Sequence, residues 1–325
     1  LETKEDFALG DAFTELESQA DDPLEIERRF VHRLQPAARV RFIADKPGKN
    51  SRFGFSGRGQ ITDDLRDLLV GAERDLLMQT PYLIIARDTQ KLLAKIRSKS
   101  GGKVRIRVSS NSLGSTDNTM AYGANYRLRS AYIEDIGLEI YEFRPLPGDL
   151  LALFPEYPAR ERAAEARLAR GEQERLPFLC IHAKSLVVDD RVGYIGSYNL
   201  DPRSANLNTE VGLVIEEPAV VAALRRSIER DMKPANSWII ARRVMPLQAD
   251  KLNGLIEDAM AWSPVDLWPI RNTTSFELKP GAAAVPPDHP DFHLFYREAG
   301  PFPGVPEGLS DKEIATRLHK AFGAA

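Results

Sequence analysis

Between residues 61 and 145 apolar residues alternate between a helical and a strand period, and few architectures accommodate that alternation. Ile61, Leu65, Leu68 and Leu69 recur at helical spacing, with Leu76 following after a slip, and they lead into a strand pattern at 77–80. A second helix is expected, with Asp88 or Thr89 as its cap and Leu92, Leu93 and Ile96 as its core face. Val104, Ile106 and Val108 then alternate with Lys103, Arg105 and Arg107, the pattern of a strand with one buried face. A helix from about Ala124 is expected to end near Gly137, and 138–143 resumes strand. Strands that alternate with helices are joined by crossovers. The fold class this predicts is α/β: a mixed, mostly parallel sheet with helices packed on both faces, an α/β/α sandwich.

The flanks are less regular. Residues 11–34 read as a charged helical lead-in, and 40–43 as a short strand stopped by Asp45, Lys46, Pro47 and Gly48. The Arg-, Glu- and Ala-rich stretch 157–175 reads as a solvated helix or insertion. Residues 179–215 are strand-rich, with Asp189, Asp190 and Arg191 placed to turn one strand into the next, and Pro218 opens a helix to about Met232. Trp238, Ile239 and Ile240 beside Arg242 and Arg243 fit either core packing or a membrane interface. A Pro-rich tail over 280–306 is expected to be extended, followed by one capped helix from Ser310. The expected partition is a lead-in at 1–39, a catalytic half-domain at 40–245 and an extension at 246–325.

Composition narrows the function. Lys and Arg total 44 against 47 Asp and Glu, a formal charge of -3, which argues against a broad nucleic-acid-binding surface. Cys180 is the single cysteine, so no disulfide forms within the chain. No signal peptide or apolar run of about 18 residues stands out, so any membrane contact is expected to be peripheral.

The chemistry concentrates between His182 and Glu210. His182 and Lys184 are two residues apart and share one face of a strand, which puts an imidazole and an ammonium in one pocket. Ser197 and Asn199 have the same spacing, and an adjacent antiparallel strand brings them beside the first pair. Such a pocket offers a nitrogen nucleophile and several donors for phosphate oxygens. Attack by His182 on phosphorus gives a phosphohistidine, with Lys184, Ser197 and Asn199 stabilising the equatorial oxygens. A nucleophilic imidazole needs a partner on its other nitrogen, and Glu210 is the candidate. Asp189, at the turn, is assigned to holding the loop. Asn111 and Asp117 either line the pocket or shape a loop. His32, His289, His293 and His319 lack ligand spacing with Cys or acidic partners, so no metal site and no cofactor are expected.

The string His182-x-Lys184-(x)4-Asp189-(x)6-Gly196-Ser197-x-Asn199 resembles the HKD motif of the phospholipase D superfamily, with every position filled. Glu210 sits where that superfamily places the carboxylate paired with its catalytic histidine. More narrowly, 196–204 and 206–210 are similar to the second half of bacterial cardiolipin synthases of the C type, as are Thr80-Pro81-Tyr82, Asn111-Ser112-Leu113 and Thr116-Asp117. The resemblance covers roughly 40–245. It implies the phospholipase D fold, metal-independent chemistry, a phospholipid substrate, and a cytoplasmic or peripheral inner-membrane location.

One element of that pattern is missing. The superfamily chemistry uses two facing motifs, one histidine attacking while the other protonates the leaving oxygen. Here His32 is followed by Arg33 and Leu34, and His319 by Lys320 and Ala321. The second motif is expected from an absent first half, which the start at Leu1 favours, or from a twofold-related copy. A homodimeric nuclease and a non-catalytic membrane- or partner-binding domain are the alternative readings.

Overall fold

The computed structural model describes residues 17, 18, 20–49, 59–172, 176–244, 272–305 and 314. Two compact units divide the chain, 1–38 and 39–325. In the first, helix α1 (Pro23–Arg29) starts where the Asp22 side chain accepts the N–H groups of Leu24 and Glu25, with proline at its first turn.

The second unit is organised on one sheet. Its strands are β1 (Val40–Ala44), β2 (Asp75–Gln79), β3 (Arg105–Asn111), β4 (Leu138–Phe143), β5 (Ser185–Val188), β6 (Val192–Gly196), β7 (Val211–Ile215), β8 (Ser237–Arg242), β9 (Thr273–Leu278) and β10 (Tyr296–Gly300). They lie in the order β1-β7-β6-β5-β2-β3-β4-β8-β9-β10. Its helices are α2 (Gln60–Val70), α3 (Arg87–Lys99), α4 (Thr119–Ala131), α5 (Leu150–Leu153), α6 (Tyr157–Ala169), α7 (Pro202–Asn206), α8 (Pro218–Asp231) and α9 (Phe292–Phe295).

Strand periodicity sorts the core into two layers. Leu76, Met78, Leu186 and Val188 meet Leu65 and Leu69 of α2 and Leu93 and Ile96 of α3 on one face. Leu77 and Val187 meet Val221 and Ile228 of α8 on the other. Burial on both faces explains why β2 and β5 read as continuous apolar runs.

The sheet is mixed, as expected, but it is not mostly parallel. Only β2–β3 and β3–β4 run parallel among the described strands. The other seven pairings are antiparallel. The chain between β4 and β5 passes through α5 and α6, whose buried residues are Tyr157 and Ala164 alone. It then enters the sheet on the far side of β2 and continues through a tight turn, a connection that joins only antiparallel strands.

Three further expectations change. Helix α3 starts at Arg87 after Ala86, so Asp88 and Thr89 lie inside its first turn and not at the cap. Helix α4 starts at Thr119, ahead of Ala124, because the Asn118 side chain accepts the Ala121 N–H at 3.0 Å. The Pro-rich tail does not simply trail: its strand β10 pairs with β9, which extends the sheet beyond β8, and its Phe292 and Tyr296 pack with Phe276 on Ile239 and Ala241. Trp238, Ile239 and Ile240 are buried in β8 and present no membrane face. The helix expected from Ser310 lies outside the described residues, Ile314 excepted. Among the described residues no helix is long and apolar enough to cross a membrane.

Candidate active site

The motif residues other than Asp189 gather where β2 and β3 end and β5 begins. Parallel strands leave their carboxyl ends open as a crevice, and β5, running antiparallel to β2, starts at that same edge. His182 and Lys184 lie just before β5 rather than within it, although the Lys184 carbonyl still accepts the Gly196 N–H at 3.1 Å. Two side-chain bonds hold the lead-in. Asn111, at the end of β3, donates its amide to the Ile181 carbonyl at 2.9 Å and accepts the Ile181 N–H at 2.8 Å. Asn111 and Ile181 are both buried. Asn111 therefore acts on the residue before His182 and shapes the loop.

The second half of the motif depends on two glycines. Gly196 and Gly212 pair across β6 and β7, and the Tyr194 ring lies against both. A Cβ on either would collide with that ring. Beyond Gly196 the Ser197 N–H donates to the Val211 carbonyl at 2.9 Å, and Ser197 Oγ accepts the Val211 N–H at 3.0 Å.

The His182 side chain is exposed, and the Lys184 ammonium stands beside it, 3.2 Å from Nδ1 and 3.4 Å from Nε2. Lys184 also donates to the His182 carbonyl at 2.7 Å. Burial pushes the Lys184 pKa down, against the acidic influence of Asp117, Glu210 and Asp201. Tyr82 meets the imidazole edge-on, with ring centres 6.4 Å apart. Its hydroxyl donates to Asp117 at 3.0 Å, and burial together with that carboxylate pushes its pKa up to about 12. Asp117 thus sits at the mouth of the pocket, within electrostatic reach of Lys184 and Cys180.

Glu210 is placed differently from the expectation. It is buried, and its carboxylate accepts from Ser197 Oγ, whereas the ring of His182 is bonded to Lys184. Its backbone explains its position: Asp45 accepts the Glu210 N–H at 3.1 Å and donates its own N–H to the Glu210 carbonyl at 2.9 Å. Asp45 also accepts from Lys49 at 2.7 Å and from the Ile61 N–H at the start of α2. Asn199 donates its N–H to Ser204 Oγ, and its side-chain Oδ1 is buried without a hydrogen-bond partner.

Asp189 stands at the other end of β5, seven residues or roughly 23 Å of extended chain from His182. Its carboxylate accepts three consecutive N–H groups, from Glu73, Arg74 and Asp75, each at 2.8 Å, and one bond from Arg191. Burial opposes its ionisation, yet these donors prevail and hold its pKa below the ordinary value. Asp189 and Asp190 both have positive φ, and the Arg191 N–H closes the turn on Val188. Asp189 fixes the hairpin and does not enter the pocket.

Sequence reasoning missed Asp45 and Lys49 as parts of this region, and it met Tyr82 and Asp201 only inside the strings that carry the resemblance, with no role assigned. Asp45 and Lys49 looked like loop residues, because nothing local signals a carboxylate that reaches across to position 210. Among the described residues no cluster of His, Cys, Asp and Glu fits a metal ion.

The family model described as "Cardiolipin synthase, PLD-like domain" matches residues 65–232, and the chain belongs to that family. An uncharacterised protein of Helicobacter pylori strain J99 is 26% identical over 244 residues, 75% of this chain and 43% of that protein. Cardiolipin synthase C of Escherichia coli K12 is 27% identical over 180 residues, 55% of this chain and 34% of that enzyme. The chain spans less than half the length of either relative. Among solved structures, NucT from Helicobacter pylori covers 61% of this chain and 98% of its own at 9% identity and a TM-score of 0.42. Nuc from Salmonella typhimurium, a phospholipase D family member, covers 61% and 97% at 16% identity and a TM-score of 0.38.

Proposed function

We propose that this chain is the catalytic half of a phospholipase D-type phosphatidyltransferase or phospholipase that acts on phospholipids, with His182 as its nucleophile. The observation that carries the reading is the exposed imidazole of His182 in contact with the Lys184 ammonium at the open end of the sheet.

An imidazole nitrogen of His182 attacks phosphorus, the ester bond to the leaving alcohol breaks, and a phosphohistidine forms. In the ligand-free pocket Lys184 donates towards the ring nitrogens. A bound phosphate is the stronger acceptor for an ammonium, so it draws Lys184 away and releases the nucleophile's lone pair. Lys184 then stabilises the phosphoryl oxygens together with the Asn199 side-chain NH2, the donor of that amide. Ser197 is tied by Glu210 and by the Val211 backbone, so it orders the pocket wall and offers less to phosphate than Asn199 does. Water, or the hydroxyl of a second lipid, resolves the phosphohistidine. The leaving alcohol needs a proton, which this reading assigns to a second His-x-Lys half, on the same polypeptide or on a twofold-related copy.

A lipid substrate is supported by the family description and by a charge of -3. Leu151, 59% exposed on α5, offers an apolar approach for peripheral membrane contact. The test presents the enzyme, paired with its second half, with phosphatidylglycerol or phosphatidylethanolamine vesicles and separately with single- and double-stranded DNA. Phosphatidyl transfer or lipid hydrolysis is expected. DNA cleavage without either product overturns the lipid reading in favour of a nuclease.

A further inference from the structure

Between the sheet and helices α2 and α3 lies a cavity of about 450 Å³. Its walls are chiefly hydrocarbon: Leu65 and Leu69 of α2, Leu92 of α3, Met78 and Leu186 of the sheet, and Ile85 of the loop after β2. It is partly open to solvent, and its volume lies within the range of ligand pockets.

Arg66, Arg87, Asp88 and Asp201 also line it, and three of its polar wall groups are bonded within the protein. Gln79 donates to Asp231 at 2.8 Å, Ser185 donates to Gln79 at 3.4 Å, and Tyr194 donates to the Val211 carbonyl at 3.5 Å. A hydrocarbon entering there strands none of these three groups, whereas a polar ligand finds few vacant partners among them.

The cavity is continuous in sequence with the phosphate pocket at three points. Ser185 follows Lys184, Tyr198 separates Ser197 from Asn199, and Asp201 both lines the cavity and acts electrostatically on Lys184. The loop between them is fixed: the Ile84 N–H donates to the Leu200 carbonyl at 2.9 Å, and the Leu200 N–H to Thr80 Oγ1 at 3.2 Å. The loop that leads from Asn199 to Leu200 and Asp201 at the cavity is therefore tied in place.

We infer that this cavity takes one acyl chain of the phospholipid whose phosphate lies at His182, so that chain length and not only headgroup selects the substrate. The inference rests on the lipid reading of the site, and its test is built to fail separately from that reading. Binding of glycerol 3-phosphate and of monomeric 1-palmitoyl lysophosphatidic acid is measured by calorimetry on the full chain and on two cavity-filling variants, Leu69→Phe and Leu92→Trp. Both positions are remote in sequence from the phosphate-binding residues and lie on the helical side of the cavity.

The lysolipid is expected to bind the parent more than about tenfold tighter than glycerol 3-phosphate, since buried methylenes are the source of the gain. Both variants should lose most of that gain and keep their affinity for glycerol 3-phosphate. No gain from the chain in the parent, or an undiminished gain in both folded variants, overturns the inference. Where a variant does not fold, a photoactivatable lysophosphatidic acid with its probe on the chain terminus is cross-linked to the unaltered protein. Adducts within 62–92, at Leu186 or within 194–206 support the cavity, and adducts confined to other segments overturn it. Cleavage of bis(4-nitrophenyl) phosphate, compared with His182→Ala, reports on the phosphotransfer reading alone. A chain-dependent gain that the variants remove supports the cavity whatever that assay returns.

Discussion

Replacing Asn111 with Leu keeps the volume at the end of β3 similar and removes both bonds to Ile181. Ile181 is 6% exposed and Asn111 2% exposed, so the Ile181 N–H and C=O lose their partners in a largely dry place. Each orphaned group costs about 1–3 kcal/mol, which bounds the loss at about 2–6 kcal/mol. The neighbouring His182 is exposed, and water entering beside it satisfies part of this need. We therefore expect a loss of about 2–4 kcal/mol. The consequence for rate is larger, because Ile181 directly precedes the nucleophile: a shift of about 1 Å in a reacting group can cost about 100-fold. The assay is steady-state cleavage of a soluble phosphodiester by the enzyme paired with its second half, together with a thermal melt. The expected result is a kcat reduced by about 100-fold with KM changed far less, since Lys184 and Asn199 still hold phosphate. Asn111→Asp retains the acceptor for the Ile181 N–H but turns a second oxygen on the Ile181 carbonyl, so it should not rescue kcat. A folded Asn111→Leu enzyme with parental kcat would refute the reasoning, and so would a loss confined to KM.

His182→Ala should abolish phosphodiester cleavage and leave the melting temperature within about a degree or two, because an exposed side chain is removed; turnover in the folded variant would take His182 out of the mechanism. Activity should survive EDTA, and loss with EDTA that one added metal restores would contradict it. Asp189→Asn presents an amide to the N–H groups of Glu73, Arg74 and Asp75, so the melting temperature at neutral pH should fall. The Asp189 pKa lies below 3.8, so its stabilisation is present above that value and disappears as pH falls through the folded-state pKa. The difference in melting temperature between parent and variant should therefore narrow below pH 3.8, and a difference that stays constant into acid would contradict the assignment.

Much of the fold was legible because burial imposes a period on the residues that carry it. Val104, Ile106 and Val108 marked β3, and Leu138–Phe143 matched β4 residue for residue. Pro218 opened α8 as expected. Strand direction was not legible, because periodicity records which face a residue takes and not which way its neighbour runs. The strand and helix alternation before residue 145 describes the three-strand parallel block alone. The tail misled for a related reason: its prolines suggest extension, while Phe276, Phe292 and Tyr296 stand too far apart to show one cluster in the sequence. The motif spacing did bring Lys184 to His182, yet the bonds that hold Ile181 and Glu210 come from positions 70 and 165 residues away.

Those distant bonds change what Glu210 can be expected to do. A carboxylate that orients a catalytic imidazole must hold the ring nitrogen opposite the attacking one, and here Glu210 is engaged with Ser197 while its backbone is fastened on both sides to Asp45. Glu210→Gln therefore acts first on Ser197, whose hydroxyl can still donate to an amide oxygen, and the geometry of the pocket wall should persist. The lost charge is felt by Lys184, whose protonated form Glu210 favours against the desolvation that lowers its pKa. Removing that support should shift the basic limb of the pH–rate profile, which reports Lys184, to lower pH. The rate at pH 7 should fall less than in His182→Ala. If Glu210 instead orients the ring of His182 during turnover, the substitution lowers kcat at every pH and moves the acidic limb, because the imidazolium loses its stabilising carboxylate. The two limbs thus separate a carboxylate that serves the lysine from one that serves the histidine, and an acidic-limb shift with an unchanged basic limb would refute the assignment to Lys184.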